Sequence, residues 1–178
     1  MFIDKVLGPI KQWGYLVQDL DDAMECWVKQ LGIGPWWGYK NVQVTSCHKG
    51  NNNPISISVG LSYHQGIQIE LIQQLDSNPS PYQYFYERGT EAQALQQVAY
   101  MVPDVDEAIA QCQQRGMYEV GRILPTPDLA YVYMSSSGME GLTIELMPYD
   151  QNFLNDYDRS LLEAEKWDGI NPYRLIEL

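Results

Sequence analysis

The sequence contains a long internal repeat, which restricts the fold more than any other feature. Residues 12–24 read QWGYLVQDLDDAM and residues 97–109 read QVAYMVPDVDEAI, an offset of 85 positions (97 − 12). The apolar run in each copy predicts a strand. The aspartate that follows, Asp19 or Asp104, predicts a helix N-cap, because its carboxylate accepts hydrogen bonds from free backbone N–H groups. Each copy therefore predicts a strand followed by a helix.

Further motifs extend the repeat into two complete units. Each predicted helix ends at a glycine, Gly32 in the first copy and Gly116 in the second. Each copy later contains a strand-like segment of similar sequence, GIQIELI at 66–72 and GLTIELM at 141–147. With the β-rich segments that lie between, each unit has the order β-α-β-β-β. One such unit is too small to bury its sheet face, so we expect the two units to pack together.

These repeats divide the chain into four segments. We predict a first module at 8–75, a connector at 76–96, a second module at 97–149 and a tail at 150–178. The fold class is α+β, with the two modules forming a cupped mixed sheet around a central cavity. The tail is predicted to contain a helix near 155–167. The connector is rich in aromatic residues, for which core packing is the commonest role.

Composition restricts the partners and the location. The formal net charge of −12 disfavours nucleic acid and anionic membranes, and we expect neither as a partner, because both repel an acidic surface. No signal peptide and no membrane-spanning run is recognisable, and three widely spaced cysteines form no disulfide or metal motif. We therefore expect a cytoplasmic protein with a small-molecule substrate or ligand. Aromatic content and exposed strand edges predict a homodimer.

The paired units resemble the vicinal oxygen chelate superfamily. The resemblance rests on the strips GYLVQDLDDA and AYMVPDVDEA and on the two IEL strands, and it extends over roughly 8–149. Members of this superfamily include glyoxalase I, methylmalonyl-CoA epimerase, extradiol dioxygenases and bleomycin-resistance proteins. Glyoxalase I and methylmalonyl-CoA epimerase are the most similar in pattern.

The resemblance implies a site built from one residue on the first and last strand of each unit. The matching positions here are Gln12, Glu70, Gln97 and Glu145, and Gln97 stands where the family commonly has histidine. Strand alternation independently places both glutamates on one face, because each is flanked by apolar residues that point the other way. We expect the four side chains to converge as metal ligands, with Glu70 and Glu145 as the catalytic residues.

The donor set indicates which metals suit this site. Two carboxylates and two amide oxygens favour hard cations, whereas imidazole favours transition metals. The cofactor prediction is a divalent metal, either Mg²⁺, Mn²⁺, Ni²⁺ or Zn²⁺, or no metal at all. His48 and His64 fall in predicted loops, where we expect them to be solvated. Their position argues against a dioxygenase, which needs two histidines and a carboxylate.

The resemblance implies two alternative functions. The first is a lyase or isomerase of the glyoxalase or epimerase type, which transfers a proton alpha to a carbonyl of a small substrate, including thioesters and thiol conjugates. The second is a binding protein of the bleomycin-resistance type, which sequesters an apolar or aromatic molecule. Residues expected to contact the ligand are Trp36, Trp37, Tyr39 and Tyr100, together with connector tyrosines Tyr82, Tyr84 and Tyr86.

Overall fold

The computed structural model of the chain describes residues 7–178, which form nine strands and four helices. The first unit contains β1 (Ile10–Val17), α1 (Leu20–Leu31), β2 (Trp36–His48), β3 (Asn51–His64) and β4 (Ile67–Gln74). The connector contains α2 (Gln83–Arg88). The second unit contains β5 (Gln93–Val102), α3 (Val105–Gln113), β6 (Tyr118–Thr126), β7 (Leu129–Ser135) and β8 (Thr143–Pro148). The tail contains α4 (Gln151–Glu165) and β9 (Tyr173–Glu177). The predicted α+β fold with two β-α-β-β-β units is confirmed.

All nine strands belong to one sheet that curls into a barrel. Its strand order is β3-β4-β1-β5-β8-β7-β6-β2-β9, and β2 also pairs with β3, so the first eight strands close on themselves. The two units meet twice, through antiparallel pairing of β1 with β5 and of β2 with β6. Strand β5 begins at Gln93, inside the segment predicted as connector. The four segment boundaries drawn from the sequence otherwise stay a prediction.

Local capping explains where the helices begin. The Asp19 carboxylate accepts from the backbone N–H of Asp22, and Asp104 accepts in the same way from Glu107, each at 2.9 Å. Both N-caps were predicted from the repeat and both are confirmed. A third aspartate, Asp150, caps α4, which therefore starts earlier than the predicted residue 155.

The two repeated helices end differently. Gly32 is the C-cap of α1 and adopts the left-handed conformation, with φ of 67°. Helix α3 instead ends at Gln113, three residues before Gly116, whose φ of 80° belongs to the turn that follows. The predicted helix end at Gly116 is therefore wrong by one turn.

Three buried clusters make up the core. One lies between α1 and the strands of the first unit and contains Met24, Ile69 and Leu71. A second lies between α3 and the strands of the second unit and contains Ile144 and Leu146. The third fills one end of the barrel interior. It is formed by Leu16, Val44, Ile55, Ile57, Ile72, Tyr82, Phe85, Ile123 and Tyr133. The connector thus packs aromatic side chains into the barrel.

Strand alternation follows from these clusters. The apolar neighbours of Glu70 and Glu145 pack against the helices, so the two glutamates point into the barrel, as the sequence predicts. Tail helix α4 packs on the first unit through Tyr157, whose hydroxyl lies 2.9 Å from the carbonyl oxygens of Lys11 and Gly66. Within residues 7–178, none of the helices combines the length and apolarity needed to cross a membrane.

Candidate functional site

The four residues singled out from the repeat lie on four adjacent strands. Gln12 is on β1, Glu70 on β4, Gln97 on β5 and Glu145 on β8, and these strands follow one another in the order β4-β1-β5-β8. The register places Gly14 beside both Glu70 and Gln97. Gln12, Gln97 and Glu145 are buried, while Glu70 is half-buried. The fold therefore brings all four side chains together inside the barrel.

Two glutamine amides connect the two carboxylates. Gln97 Nε2 donates to Glu70 Oε2 at 3.0 Å and to Glu145 Oε2 at 3.1 Å. The Gln12 amide is assigned with its nitrogen toward the same two oxygens, 3.2 Å from each, because carboxylate oxygens only accept hydrogen bonds. The other end of this amide lies 2.7 Å from the Gln68 amide. Each carboxylate therefore accepts hydrogen bonds from both amides.

A tyrosine pair completes the hydrogen-bond network. The Tyr133 hydroxyl donates to Glu145 Oε1 at 3.0 Å, and the Tyr82 hydroxyl lies 3.0 Å from the Tyr133 hydroxyl. Both side chains are fully buried. Tyr133 lies in none of the motifs from which the site is predicted. Strand alternation alone could place it on the inner face of β7, but only the pairing of β7 with β8 shows that it lies opposite Glu145.

Gly14 makes room for the Gln97 side chain. A Cβ atom at position 14 would lie 2.4 Å from Gln97 Cγ and 2.6 Å from Gln97 Nε2. Both distances are shorter than real Cβ contacts allow, and the Gln97 side chain has no room to move away because it is fully buried and hydrogen-bonded. The glycine in the first copy of the repeat is therefore required by the glutamine in the second.

Burial raises the pKa of both glutamates. For Glu70 the pKa lies well above the usual range, mainly because of desolvation and secondly because of repulsion from Glu145, while the bond from Gln97 lowers it. For Glu145 desolvation again raises the pKa, and the bonds from Tyr133 and Gln97 lower it. Two carboxyl groups this close do not both ionise readily, so the pair retains a proton at higher pH than an exposed glutamate.

The spacing of these groups fits a small divalent cation. The inward amide atoms and carboxylate oxygens are 3.0–3.2 Å apart, and neighbouring ligands of an octahedral Mg²⁺ are about 3 Å apart. Both amides would turn their oxygens inward around a cation. Gln97 Oε1 is buried and has no hydrogen-bond partner in the described chain, so this rotation breaks no bond to that oxygen. Among residues 7–178, no group of three or more His, Cys, Asp and Glu forms a separate metal site.

The predicted ligand-contacting aromatic residues do not come together. Trp36 is fully buried in the cluster beneath α1, and Tyr100 packs against the cluster beneath α3, so both lie outside the barrel. Trp37 points to the opposite face from Trp36 and contacts Tyr63, with ring centroids 6.0 Å apart. Tyr39 is about half exposed. Geometry gives no support to ligand binding by Trp36 or Tyr100.

The two histidines have different environments. His48 is buried at the end of β2, where its Nδ1 lies 2.9 Å from the carbonyl oxygen of Val120, and burial lowers its pKa. The prediction of a solvated loop residue is therefore wrong for His48, because β2 extends farther than the sequence indicates. His64 is exposed, as expected.

A barrel of two β-α-β-β-β units with inward carboxylates and amides defines a class of protein. The family model described as "Glyoxalase/Bleomycin resistance protein/Dioxygenase superfamily" matches residues 11–122. The chain belongs to this superfamily. No curated protein is similar enough in sequence to count as a match.

Solved structures agree on the fold. Methylmalonyl-CoA epimerase from Mycobacterium tuberculosis has a TM-score of 0.55 at 20% identity, covering 84% of this chain and 93% of the epimerase. A hypothetical protein from Bacillus halodurans has a TM-score of 0.58 at 13% identity, covering 80% and 95%. A variant of 4-hydroxymandelate synthase from Streptomyces coelicolor has a TM-score of 0.53 at 16% identity, covering 80% of this chain and 39% of the synthase.

Proposed function

We propose that this protein is a lyase or isomerase that transfers a proton at a carbon atom next to a carbonyl group. One observation carries the proposal: Glu70 and Glu145 lie together inside the barrel, and the Gln12 and Gln97 amides connect them. General acid–base catalysis works best when the pKa of the catalytic group is close to the working pH. Burial raises the pKa of Glu145 to about 7, which meets this requirement, and it raises the pKa of Glu70 as well.

The paired carboxyl groups have complementary roles in this reaction. One is ionised and removes the proton alpha to the carbonyl, while the other is protonated and supplies a proton to the product. In the metal-free site the Gln12 and Gln97 N–H groups hold both carboxyl groups in place, and Tyr133 orients Glu145. Glu70 is the more exposed member, so its side of the pair is the more accessible to solvent.

A divalent cation fits the proposal as a cofactor. Gln12, Glu70, Gln97 and Glu145 would hold it, and a bound cation would stabilise the negative charge that develops on the substrate oxygen. The all-oxygen donor set favours Mg²⁺ or Mn²⁺ over Ni²⁺ or Zn²⁺. We further propose a homodimer located in the cytoplasm. Light scattering that shows a monomer at micromolar concentration would contradict the homodimer.

The sequestering alternative has less support from the geometry. A protein that stores an apolar molecule inside the barrel needs an open interior. Here Tyr82 and Phe85 of the connector fill one end of that interior, together with Leu16 and Ile72. Two buried carboxyl groups next to this cluster are also a costly lining for a purely apolar ligand.

Proton exchange tests the proposed reaction directly. The protein is incubated in D₂O with methylmalonyl-CoA, with the hemithioacetal of methylglyoxal and glutathione, or with the neutral ketone 4-hydroxyacetophenone, and loss of the alpha proton is followed by NMR. Each reaction is run with Mg²⁺, Mn²⁺, Ni²⁺, Zn²⁺ or EDTA. We expect exchange with at least one carbonyl substrate, and a loss of at least 100-fold in Glu70→Gln and Glu145→Gln. The exposed Glu165→Gln is the matched control. Equal exchange rates in all three variants would contradict the proposal.

A further inference from the structure

A cavity of about 480 Å³ opens beside α2, at the end of the second unit. Its apolar wall contains Pro81, Tyr84, Phe85, Leu95, Tyr118, Val120 and Leu142. Its inner end contains Gln96, Ser135 and Thr143. This volume is in the range of small-molecule sites. None of the four residues that form the carboxylate and amide cluster lines it.

The cavity is next to the candidate site along the strands. Thr143 comes two residues before Glu145 on β8, and Ser135 comes two residues after Tyr133 on β7. Residues two apart on a strand share a face and are about 7 Å apart. The cavity therefore lies one such step from Glu145, and Tyr82 and Phe85, which fill this end of the barrel, would move aside for a substrate to reach the carboxyl group.

A β-bulge places Gln96 in the cavity wall. Opposite consecutive residues Gly14 and Tyr15 of β1, strand β5 presents Gln97 and Leu95, so Gln96 is the extra residue. Bulges of this kind redirect side chains next to functional sites. Gln96 is only 6% exposed and contributes to the cavity wall.

The hydrogen bonds of Gln96 leave one acceptor free. The Thr143 hydroxyl donates to the backbone carbonyl of Gln96, so its oxygen accepts from Gln96 Nε2 at 3.1 Å. This pattern fixes the orientation of the amide and directs Oε1 away from Thr143. Gln96 Oε1 is buried and has no hydrogen-bond partner among residues 7–178. Such an atom costs about 1–3 kcal/mol, which an N–H or O–H group of a ligand would recover after a small rotation of the amide.

Charges at the cavity disfavour an anionic ligand. The charged residues that line it are Arg88, Glu91 and Glu140, so carboxylates outnumber cations. Arg88 is already engaged, since it donates to Glu91 at 3.2 Å and to the Tyr84 hydroxyl at 3.4 Å and lies over the Tyr84 ring. The chain as a whole carries −12. A ligand with several phosphates would be repelled at this entrance.

From these observations we infer that the cavity binds the non-reacting part of the substrate, and that this part is a neutral aromatic group on a carbonyl compound with one hydrogen-bond donor. The inference rests on the proposed proton transfer at Glu70 and Glu145. It narrows the substrate class, because coenzyme A thioesters and glutathione conjugates are anionic whereas the cavity is apolar with an acidic rim.

Binding and exchange measured side by side test this inference. The probe is 4-hydroxyacetophenone, a neutral aromatic ketone whose ring hydroxyl is remote from the carbonyl group and whose methyl group carries exchangeable alpha protons. Calorimetry compares wild type with Leu142→Trp, which fills the cavity, and with Leu162→Trp on the exposed face of α4. We expect at least tenfold weaker binding in Leu142→Trp, unchanged binding in Leu162→Trp, and weaker binding of acetyl-CoA than of the ketone. Equal affinity in both tryptophan variants, or tighter binding of acetyl-CoA, overturns the inference.

A second variant decides the outcome if Leu142→Trp does not fold. Gln96→Leu removes the free acceptor, so the preference for 4-hydroxyacetophenone over acetophenone should disappear; a preference equal to that of wild type overturns the inference. Proton exchange separates the two proposals. If proton exchange occurs but the cavity variants bind the ketone as wild type does, the proposed reaction stands and the inference about the cavity is overturned. If the cavity variants weaken binding but no proton exchange occurs, the cavity is a binding site and the proposed reaction is overturned.

Discussion

Gln97 Nε2 donates to Glu145 Oε2 of its own module at 3.1 Å and, with its second hydrogen, to Glu70 Oε2 of the first module at 3.0 Å. The amide nitrogen thus lies where it shields one carboxylate from the other. Its oxygen is buried, and the described part of the chain offers it no hydrogen-bond partner. The same side chain could present that oxygen to a cation, which links the protonation of the pair to metal binding.

The stability of the metal-free protein should fall as pH rises. Because folding raises the pKa of Glu70 and Glu145, the folded state binds more protons than the unfolded state between the ordinary value of 4.5 and the raised values. The stabilising effect is fully present below 4.5 and is lost as pH rises through the raised pKa values. Urea unfolding in EDTA between pH 4.5 and 8 measures this. The free energy of unfolding of Glu145→Gln minus that of wild type should increase between pH 4.5 and 8, by about 1 kcal/mol or more.

The control for this pH dependence is Glu165→Gln, which changes an exposed carboxylate. Its free energy of unfolding should follow that of wild type at every pH. A constant difference between Glu145→Gln and wild type across the range would show that Glu145 has an ordinary pKa in the folded protein.

Replacing Gly14 by alanine should disrupt the site. The new Cβ would lie 2.4 Å from Gln97 Cγ, so the glutamine must leave its bonds to Glu70 and Glu145. We expect a loss of about 1–3 kcal/mol in the free energy of unfolding, as for overpacking in other cores, together with a loss of exchange activity. Gly138→Ala is the matched control, because nothing lies within 4 Å of its Cβ position. Thermal unfolding of the two variants measures the difference; equal stability would mean that β1 and β5 are farther apart than described.

Introducing imidazole at position 97 should change the metal preference. Gln97→His provides the ligand that transition metals prefer, so affinity for Ni²⁺ or Zn²⁺ should rise at least tenfold while affinity for Mg²⁺ does not. Calorimetric titration measures both. Gln43→His, at an exposed position on β2, controls for nonspecific binding. Equal Ni²⁺ affinity in wild type and Gln97→His would mean that position 97 does not contribute to a metal site.

Removing the Tyr133 hydroxyl should shift the pH profile of the reaction. The bond from Tyr133 lowers the pKa of Glu145, so Tyr133→Phe should raise it further. The acid limb of the exchange rate should move to higher pH, and the rate at neutral pH should fall about tenfold. Tyr131→Phe, a neighbouring position on the same strand, is the control and should leave the acid limb in place. A uniform loss of rate without a shift would indicate a purely structural role for Tyr133.

Much of the fold follows from local patterns in the sequence. The two strips with Asp19 and Asp104 specify strand, cap and helix because those interactions involve residues only a few positions apart. Alternation around Glu70 and Glu145 specifies which face each glutamate occupies. The repeat then implies that equivalent positions come together. These features need no knowledge of how distant strands pair.

The rest was decided by tertiary structure, because it depends on register between segments far apart in the chain. The sequence determined that Gln12, Glu70, Gln97 and Glu145 point to one face. Only the pairing of β7 with β8 set Tyr133 opposite Glu145, and only the packing of the connector set Tyr82 against Tyr133. The sequence does not reveal which face of each strand the helices cover. It therefore does not show that Trp36 and Tyr100, predicted to contact a ligand, face the helices. That choice is made by the packing of α1 and α3, whose apolar faces bury the side chains on the outside of the barrel.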